Sequence, residues 1–364
     1  MKKTLLALAV AGVVAAPAAM AEVTVYGLAH VSVDNVSSDD GDNDLNVSSR
    51  SSRVGVKAAE DLGGGLKAIA QMEWQVEMAD DLNSDLKATN NITARNQIVG
   101  LAGGFGTVAL GRHDTPYKMS TGKLDLFSDT AADYNKVIGT PAGLENRGED
   151  VIAYLSPDFN GLSFQAAIVT AEIPELTVTA GEVTDASDDD SDAVDAMSVA
   201  VQYNAGPLFV AVAYESFEDS VATALTAKTV TTADIVTGEL EETVTATSNK
   251  GHSGVRAGVG YDAGVAKIGF VYETASDVGN DDDDYDAWLL NAAIPVGGNN
   301  TVIAEYGVGE FDKANKETTL MAIGVAHNFS KSSSAYVAYG NVEVDNAGNT
   351  TDTDILTAGL VVKF

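Results

Sequence analysis

From residue 22 onward the chain is built of segments in which apolar and polar side chains alternate one for one, and this period of two admits strands and excludes helices. Residues 23–33 place Val23, Val25, Ala29, Val31 and Val33 on one face and Thr24, Tyr26, His30 and Ser32 on the other. Residues 66–77 repeat the pattern, with Leu66, Ala68, Ala70, Met72, Trp74 and Val76 opposite Lys67, Gln71, Glu73, Gln75 and Glu77. A helix needs apolar residues three and four apart.

Segments of about ten residues recur, longer than the five or six usual in a soluble sandwich. The sequence places them at roughly 23–33, 47–58, 66–77, 93–102, 106–113, 148–156, 162–171, 194–203, 207–217, 251–261, 264–275, 284–294, 300–308, 317–328, 333–342 and 353–364. Short turns at 60–65, 103–105, 157–161, 204–206, 262–263, 295–299 and 329–332 alternate with longer polar loops at about 34–46, 78–92, 114–147, 172–193, 218–250, 276–283, 309–316 and 343–352. Sixteen segments joined in this way predict an all-β fold, a 16-stranded antiparallel transmembrane β-barrel with short turns at one rim and long loops at the other. A barrel of eight strands is filled by side chains, whereas one of sixteen to eighteen encloses an aqueous channel. Val108 and Leu110 share parity with Arg112, so the pattern requires a bulge or a rim position there.

The compartment is read from the first residues. Lys2 and Lys3 precede an apolar run from Leu5 to Ala16 and the small stretch Ala18-Ala19-Met20-Ala21. This is the pattern of a secretory signal peptide, residues 1–21, cut before Glu22; the run is far short of the roughly 20 residues of a membrane-spanning helix. A single barrel domain is expected over 22–364. Later apolar segments are all interrupted by polar residues, yet a closed barrel can cross a bilayer with half its side chains polar. Mean hydropathy of +0.02 therefore excludes nothing.

Of 21 basic side chains, removal of Lys2 and Lys3 leaves 19 against 53 acidic ones, a formal charge of −34. Such a surface excludes nucleic acid as a partner. The runs Asp188-Asp189-Asp190 and Asp281-Asp282-Asp283-Asp284 read as solvated loops, and neither has the ligand spacing of an EF-hand. No cofactor or metal is called for. Loosely bound divalent cations between acidic external loops and lipopolysaccharide are compatible with these runs, as is a saline habitat. There is no cysteine, so an exported chain of this kind must hold itself together by burial and closed hydrogen bonding.

Three stretches resemble the general (Gram-negative) porin family: Val23-Thr24-Val25-Tyr26-Gly27 its first strand, residues 53–66 its second strand and first turn, and residues 95–112 (RNQIVGLAGGFGTVALGR) its fourth and fifth strands. The end of the chain, Thr357-Ala358-Gly359-Leu360-Val361-Val362-Lys363-Phe364, is similar to the family's terminal strand, with Gly359, Val362 and Phe364 in the signal read by the outer-membrane assembly machinery. The resemblance implies an outer-membrane homotrimer in contact with lipid and lipopolysaccharide, with small residues such as Ala29, Ala58, Ala68 and Ala70 as contact surface. It also implies a water-filled pore for passive diffusion of ions and small hydrophilic solutes.

The loop at 114–147 is the longest, and loops of such length are uncommon unless functional. In the family this third loop folds inward and its acids face basic residues of the wall. Arg53, Arg95 and Arg147 resemble the wall arginines. Parity places Arg53 and Lys57 opposite Val54 and Val56, hence in the lumen, and pairs Arg95 with Gln97 on the same side. On the loop Asp125, Asp129 and Asp133 recur at four-residue spacing, which aligns them if the segment holds a helical turn. An arginine beside a loop acid can also simply pin the loop, and one residue can do both. The loop acids and net charge predict a mild cation preference.

Two other classes are weighed. An outer-membrane hydrolase would need His with Ser and a carboxylate in reach, but His30, His113, His252 and His327 are scattered and no G-x-S-x-G motif occurs. A substrate-specific channel, or a loop-mediated adhesin or receptor, would use the long loops or a line of pore aromatics. Trp74 has outward parity, and Trp288 and Tyr285 are assigned to an interfacial aromatic girdle.

Overall fold

The computed structural model describes residues 21–39, 41, 43–79, 92–170, 176–179, 182–185, 194–218, 230–233, 240–243, 251–279 and 282–364. The expected signal peptide, apart from Ala21, and the Asp188–Asp190 run lie outside these residues. Among them no helix is long and apolar enough to cross a membrane.

One antiparallel sheet closes into a barrel of sixteen strands. They are β1 Glu22–Ser38, β2 in two pieces (Asn43–Ser49 and Arg53–Gly63), β3 Leu66–Val76, β4 Ile92–Gly103, β5 Gly106–Asp114, β6 Arg147–Leu155, β7 Leu162–Val169 and β8 Ala196–Ala205. The second half comprises β9 Leu208–Phe217, β10 Ser253–Asp262, β11 Lys267–Val278, β12 Asp283–Gly297, β13 Asn300–Phe311, β14 Lys316–Asn328, β15 Ser333–Asn346 and β16 Asn349–Lys363. Each strand pairs with its sequence neighbours. Closure is made by β1, which pairs with both pieces of β2 on one side and with β16 on the other, from Leu28↔Lys363 to Ser38↔Thr353. A closed ladder leaves no edge, which is what permits insertion in lipid.

β2 is interrupted at Arg50–Ser52, where Ser51 has φ 50°. The Ser52 hydroxyl patches the ladder by accepting from the His30 N–H and donating to the His30 carbonyl, both at 2.9 Å. Parity in β5 is not broken: the extra residue lies on β6, where Glu149 and Asp150 (φ 49°) together oppose Arg112, and Arg112 keeps the outer face, paired with Gln97 and bound by Glu149; Gly111 beside it has φ +128°. A Cβ at Gly111 would lie 2.3 Å from the Gln97 carbonyl oxygen, so this position needs glycine.

Several segments expected as loops are strand. The connections at 34–46, 276–283, 309–316 and 343–352 shrink to 39–42, 279–282, 312–315 and 347–348. Once a hairpin projects above the apolar band both of its faces meet water, so the alternation fades while the hydrogen-bonded ladder continues. The tip at Ala347-Gly348 has positive φ at both residues, the geometry that fits the twist of a two-residue hairpin. Tyr285 is also not in the girdle: it is 1% exposed inside the barrel, whereas Trp288 lies outside. Positions three apart on a strand cannot share a face.

The outer face carries exposed apolar residues such as Val23, Val25, Met72, Val99, Leu101 and Leu290, matching lipid. The protein's own apolar core lies inside, where residues of the β5–β6 loop, Tyr117, Val137, Ile138 and Leu144 among them, pack on lumen-facing Val151, Ala200, Phe209, Val271 and Leu289. Each fully buried aliphatic side chain there contributes about 1.5–3 kcal/mol to holding the loop inward.

Candidate functional site: the inward loop and the basic wall

The loop between β5 and β6, hereafter L3, starts with a helix because Thr115 and Pro116 prescribe one. Thr115 Oγ1 accepts from the Lys118 N–H at 3.3 Å and Pro116 opens α1, Pro116–Ser120. Two 3₁₀ turns follow, at Gly122–Leu124 and Tyr134–Lys136.

Polar side chains on β8 to β12 grip this backbone. Ser198 accepts from the Tyr117 N–H at 2.9 Å, and Gln202 donates to the Met119 and Ser120 carbonyls at 3.1 Å. Tyr285 donates to the Val137 carbonyl at 2.6 Å, and Asn291 donates to that of Leu124. The strongest anchor is ionic. Arg256 on β10, with 0% of its side chain exposed, pairs with Glu273 of β11 at 2.6 Å and with Glu145 of L3 at 2.6 Å, and its guanidinium lies 4.4 Å from the Tyr117 ring centroid. Glu273 completes its shell by accepting from the Tyr117 hydroxyl at 3.0 Å and the Gly139 N–H at 2.7 Å. Every charge in this buried group has an opposite partner, the condition under which burying it is tolerable.

Beyond the anchor, L3 crosses to β14 and β15, where Phe127 and Ala132 pack against Ala322 and Ala338. Asp129, in the left-handed region at φ 59°, then reaches Arg53 of β2 at 3.7 Å. Arg53 belongs to the lumen-facing wall of β2 to β6 that carries the basic side chains.

On that wall Lys57 lies 4.7 Å from the Tyr26 ring centroid. Tyr26 donates to Glu73 at 2.9 Å, and Arg95 binds Glu73 at 2.8 Å and Gln75 at 3.1 Å. Arg147 pairs with Asp114 at 3.0 Å and donates to Asn96 at 3.1 Å. The lumen position of Arg95 does not come from parity with Gln97. Met72 pairs with Gln97 and Trp74 with Ala94, so β4 carries one extra residue; this bulge turns Arg95 inward while Gln97 stays on the face of Met72.

Of the three loop acids, Asp129 alone meets a wall base. No helical turn aligns them, because the helix forms earlier, behind Pro116, and the acids serve the loop's own turns. Asp133 Oδ2 accepts from the Asp129 N–H at 2.7 Å and Oδ1 from the Asn135 N–H at 2.8 Å, while Asp125 accepts from the Phe127 N–H at 3.2 Å. Burial, then the neighbouring Asp133 and Glu305 carboxylates, push the Asp125 carboxyl well above the usual carboxylate range. Burial raises Asp133 as well, outweighing its two backbone donors.

Sequence reasoning did not single out Glu73, Asp114, Glu145, Arg256 or Glu273. Glu73 was visible as a lumen-parity residue and Arg256 as a charge between outward Val255 and Ala257, but nothing along the chain assigns them partners 17 to 111 positions away. At the terminus, Phe364 and Gly27 exchange backbone hydrogen bonds of 2.8 and 3.1 Å, and the Phe364 ring covers Gly27 on the outer face. Gly359 faces the Tyr336 ring and Val362 pairs with Ala29. Among the described residues no group of three or more histidines and carboxylates is arranged to hold a metal.

A lipid-faced barrel with a loop folded into its lumen defines an outer-membrane channel. The profile of the Gram-negative porins matches residues 6–347, and the chain belongs to that family. Outer membrane porin protein 32 of Delftia acidovorans is 29% identical over 355 residues, 92% of this chain and 88% of the relative. A solved anion-selective porin from Comamonas acidovorans superposes with TM-score 0.72 at 23% identity, covering 95% of this chain and all of that one. OmpT of Vibrio cholerae in a trimer form gives TM-score 0.63 at 18% identity over 94% and 99% of the two chains. The protein resides in the outer membrane and forms a water-filled channel for passive diffusion of ions and small hydrophilic solutes. The relatives give no support to a cation preference, one structure being that of an anion-selective porin. In this chain, too, Glu73 and Asp114 are spent on Arg95 and Arg147, and Asp125 and Asp133 on L3 itself.

Proposed function

We propose that L3 and the β2–β6 wall form the pore's constriction, with a transverse field between Asp129 on the loop and Arg53 on the wall. The observation that carries this is the 3.7 Å approach of these two side chains where the loop meets the wall, each about a quarter exposed and so in contact with water of the lumen. Lys57, Arg95 and Arg147 extend the basic side, and low-dielectric walls focus the field of such groups on passing ions. Asp125 and Asp133 act by shaping the loop. Two charges about 4 Å apart interact by about 1 kcal/mol in water, so removing either should change a permeability ratio by roughly two- to fivefold. Reversal potentials in a KCl gradient test this. Arg53→Gln should shift them toward cations and Asp129→Asn toward anions; unchanged potentials in both would remove the pair from the site.

The protein acts as a channel with no catalytic role. The four histidine rings each take a partner within the barrel: the Tyr336 hydroxyl, the Asp114 carbonyl, the Gly143 carbonyl and Asn300. Neither metal nor cofactor takes part, loosely bound divalent cations at the acidic loops aside. Assembly as a homotrimer fits the outer face. Tyr203, Tyr261, Tyr272, Trp288, Tyr306 and Tyr339 cover β8 to β15, whereas small and aliphatic residues, Ala29, Ala58, Ala68 and Ala70 among them, cover β1 to β3 beside Trp74. Residues 1–21 serve as the export signal, and Gly359, Val362 and Phe364 are read by the assembly machinery, with lipopolysaccharide around the acidic loops.

A further inference from the structure

Beside the constriction lies a recess that the diffusion pathway does not explain. It has a volume of about 270 Å³ and is bounded by Val36 of β1, Val342 of β15, Ile355 and Thr353 of β16, and Ala131 of L3. Two cations, Arg50 and Lys136, complete its lining. They differ in their surroundings. Arg50 is held in place, donating to Asp34 and to the Ser32 hydroxyl at 3.0 Å, while Asp34 is further occupied by the Thr357 hydroxyl at 2.6 Å. Lys136 is exposed and forms no ion pair among the described residues; the acid on its own turn, Asp133, is taken up by two backbone N–H groups.

We infer that this recess is a subsite for a small organic carboxylate with an apolar body, its carboxylate between Lys136 and Arg50 and its hydrocarbon against Val36, Val342 and Ile355. The inference rests on the chain conducting, since the recess opens to the lumen. Arg50, Lys136 and Asp34 leave one excess positive charge, partly offset by the attraction between Lys136 and Asp133 three residues away, so the recess favours anions over cations. Its walls discriminate against inorganic anions, which gain nothing from apolar contact. Arg50, with its Nε and one Nη already spent on Ser32 and Asp34, offers its remaining N–H groups from a stiff wall and so fixes orientation. A site in a channel must bind weakly enough to release its solute, and a shallow recess with a single unpaired ammonium meets that condition.

Benzoate is a suitable probe. In planar bilayers the protein's stepwise KCl conductance is recorded first, which tests the channel separately from the recess. Benzoate should then produce concentration-dependent block or excess current noise, whereas acetate, with the charge but no ring, and benzyl alcohol, with the ring but no charge, should need at least fivefold higher concentration. Lys136→Gln should weaken the benzoate effect threefold or more. Thr353→Phe, which fills the recess without altering charge, should weaken it similarly, and Val342→Phe does the same from another strand should the first fail to assemble. Equal potency of benzoate and acetate, or parental block in both the lysine and the filling variants, would overturn the assignment.

Discussion

Replacing Arg256 by methionine should release L3 without opening the barrel. Arg256 and Glu273 are both 0% exposed and Glu145 is 8% exposed, so the substitution leaves Glu273 without its cation and Glu145 with only Lys118, 3.9 Å away. Removing one partner of a buried, hydrogen-bonded ion pair costs about 3–5 kcal/mol. At 1.4 kcal/mol per tenfold that lowers the docked-to-undocked ratio of L3 by roughly a hundredfold to several thousandfold. The strand ladder is untouched, so the protein should still insert and give stepwise conductance, with greater open-channel noise. Trypsin should cut L3 at Lys118, Lys123 or Lys136 in the variant and spare it in the parent. The triple variant Arg256→Met, Glu145→Gln, Glu273→Gln should recover most of the protection, because both carboxylates are then replaced by neutral groups. Parental noise and trypsin resistance in the single variant would refute the anchor, and a triple variant as labile as the single one would refute its ionic origin.

Other outcomes follow from the same geometry. Because Asp125 is raised in the folded loop, the folded state binds more protons than the unfolded chain as pH climbs out of the ordinary carboxylate range; docking of L3 is then tightest in acid and weakens as pH rises through the raised value. Asp125→Asn, which keeps an acceptor for the Phe127 N–H, should flatten the pH dependence of L3 proteolysis, and a slope equal to the parent's would contradict this. A Cβ on Gly27 would lie 2.3 Å from the Phe364 ring, so Gly27→Val should displace that ring and slow appearance of the heat-modifiable folded barrel; deletion of Phe364 should do so more severely. Normal assembly of both would count against the terminal strand's role.

The barrel was legible because lipid on one side and water on the other write a period of two into each strand, as in residues 66–77. Legibility failed where that contrast ends. Above the apolar band the strand top Glu343–Asn346 reads as loop, since both faces are wet. At β4 one extra residue broke the parity that was used for Arg95 and Gln97. Arg53 and Asp129 could each be named from the chain, yet which of three loop acids turns outward depends on the positive φ at Asp129 and on Asp133 capping a 3₁₀ turn, local choices that four-residue spacing does not encode. In the Arg256–Glu273–Glu145 anchor, Arg256 and Glu273 face each other across one hairpin, but their meeting with Glu145 depends on how L3 folds back into the barrel, which the chain does not spell out.

The central claim is a water-filled pore narrowed by a charged loop, and unitary conductance of the purified protein in planar bilayers tests it most directly. Stepwise increments that rise in proportion to KCl concentration over a wide range are predicted, with the reversal potential moving in opposite directions on Arg53→Gln and Asp129→Asn. Absence of steps, or a conductance that saturates at low salt, would contradict an open aqueous pore.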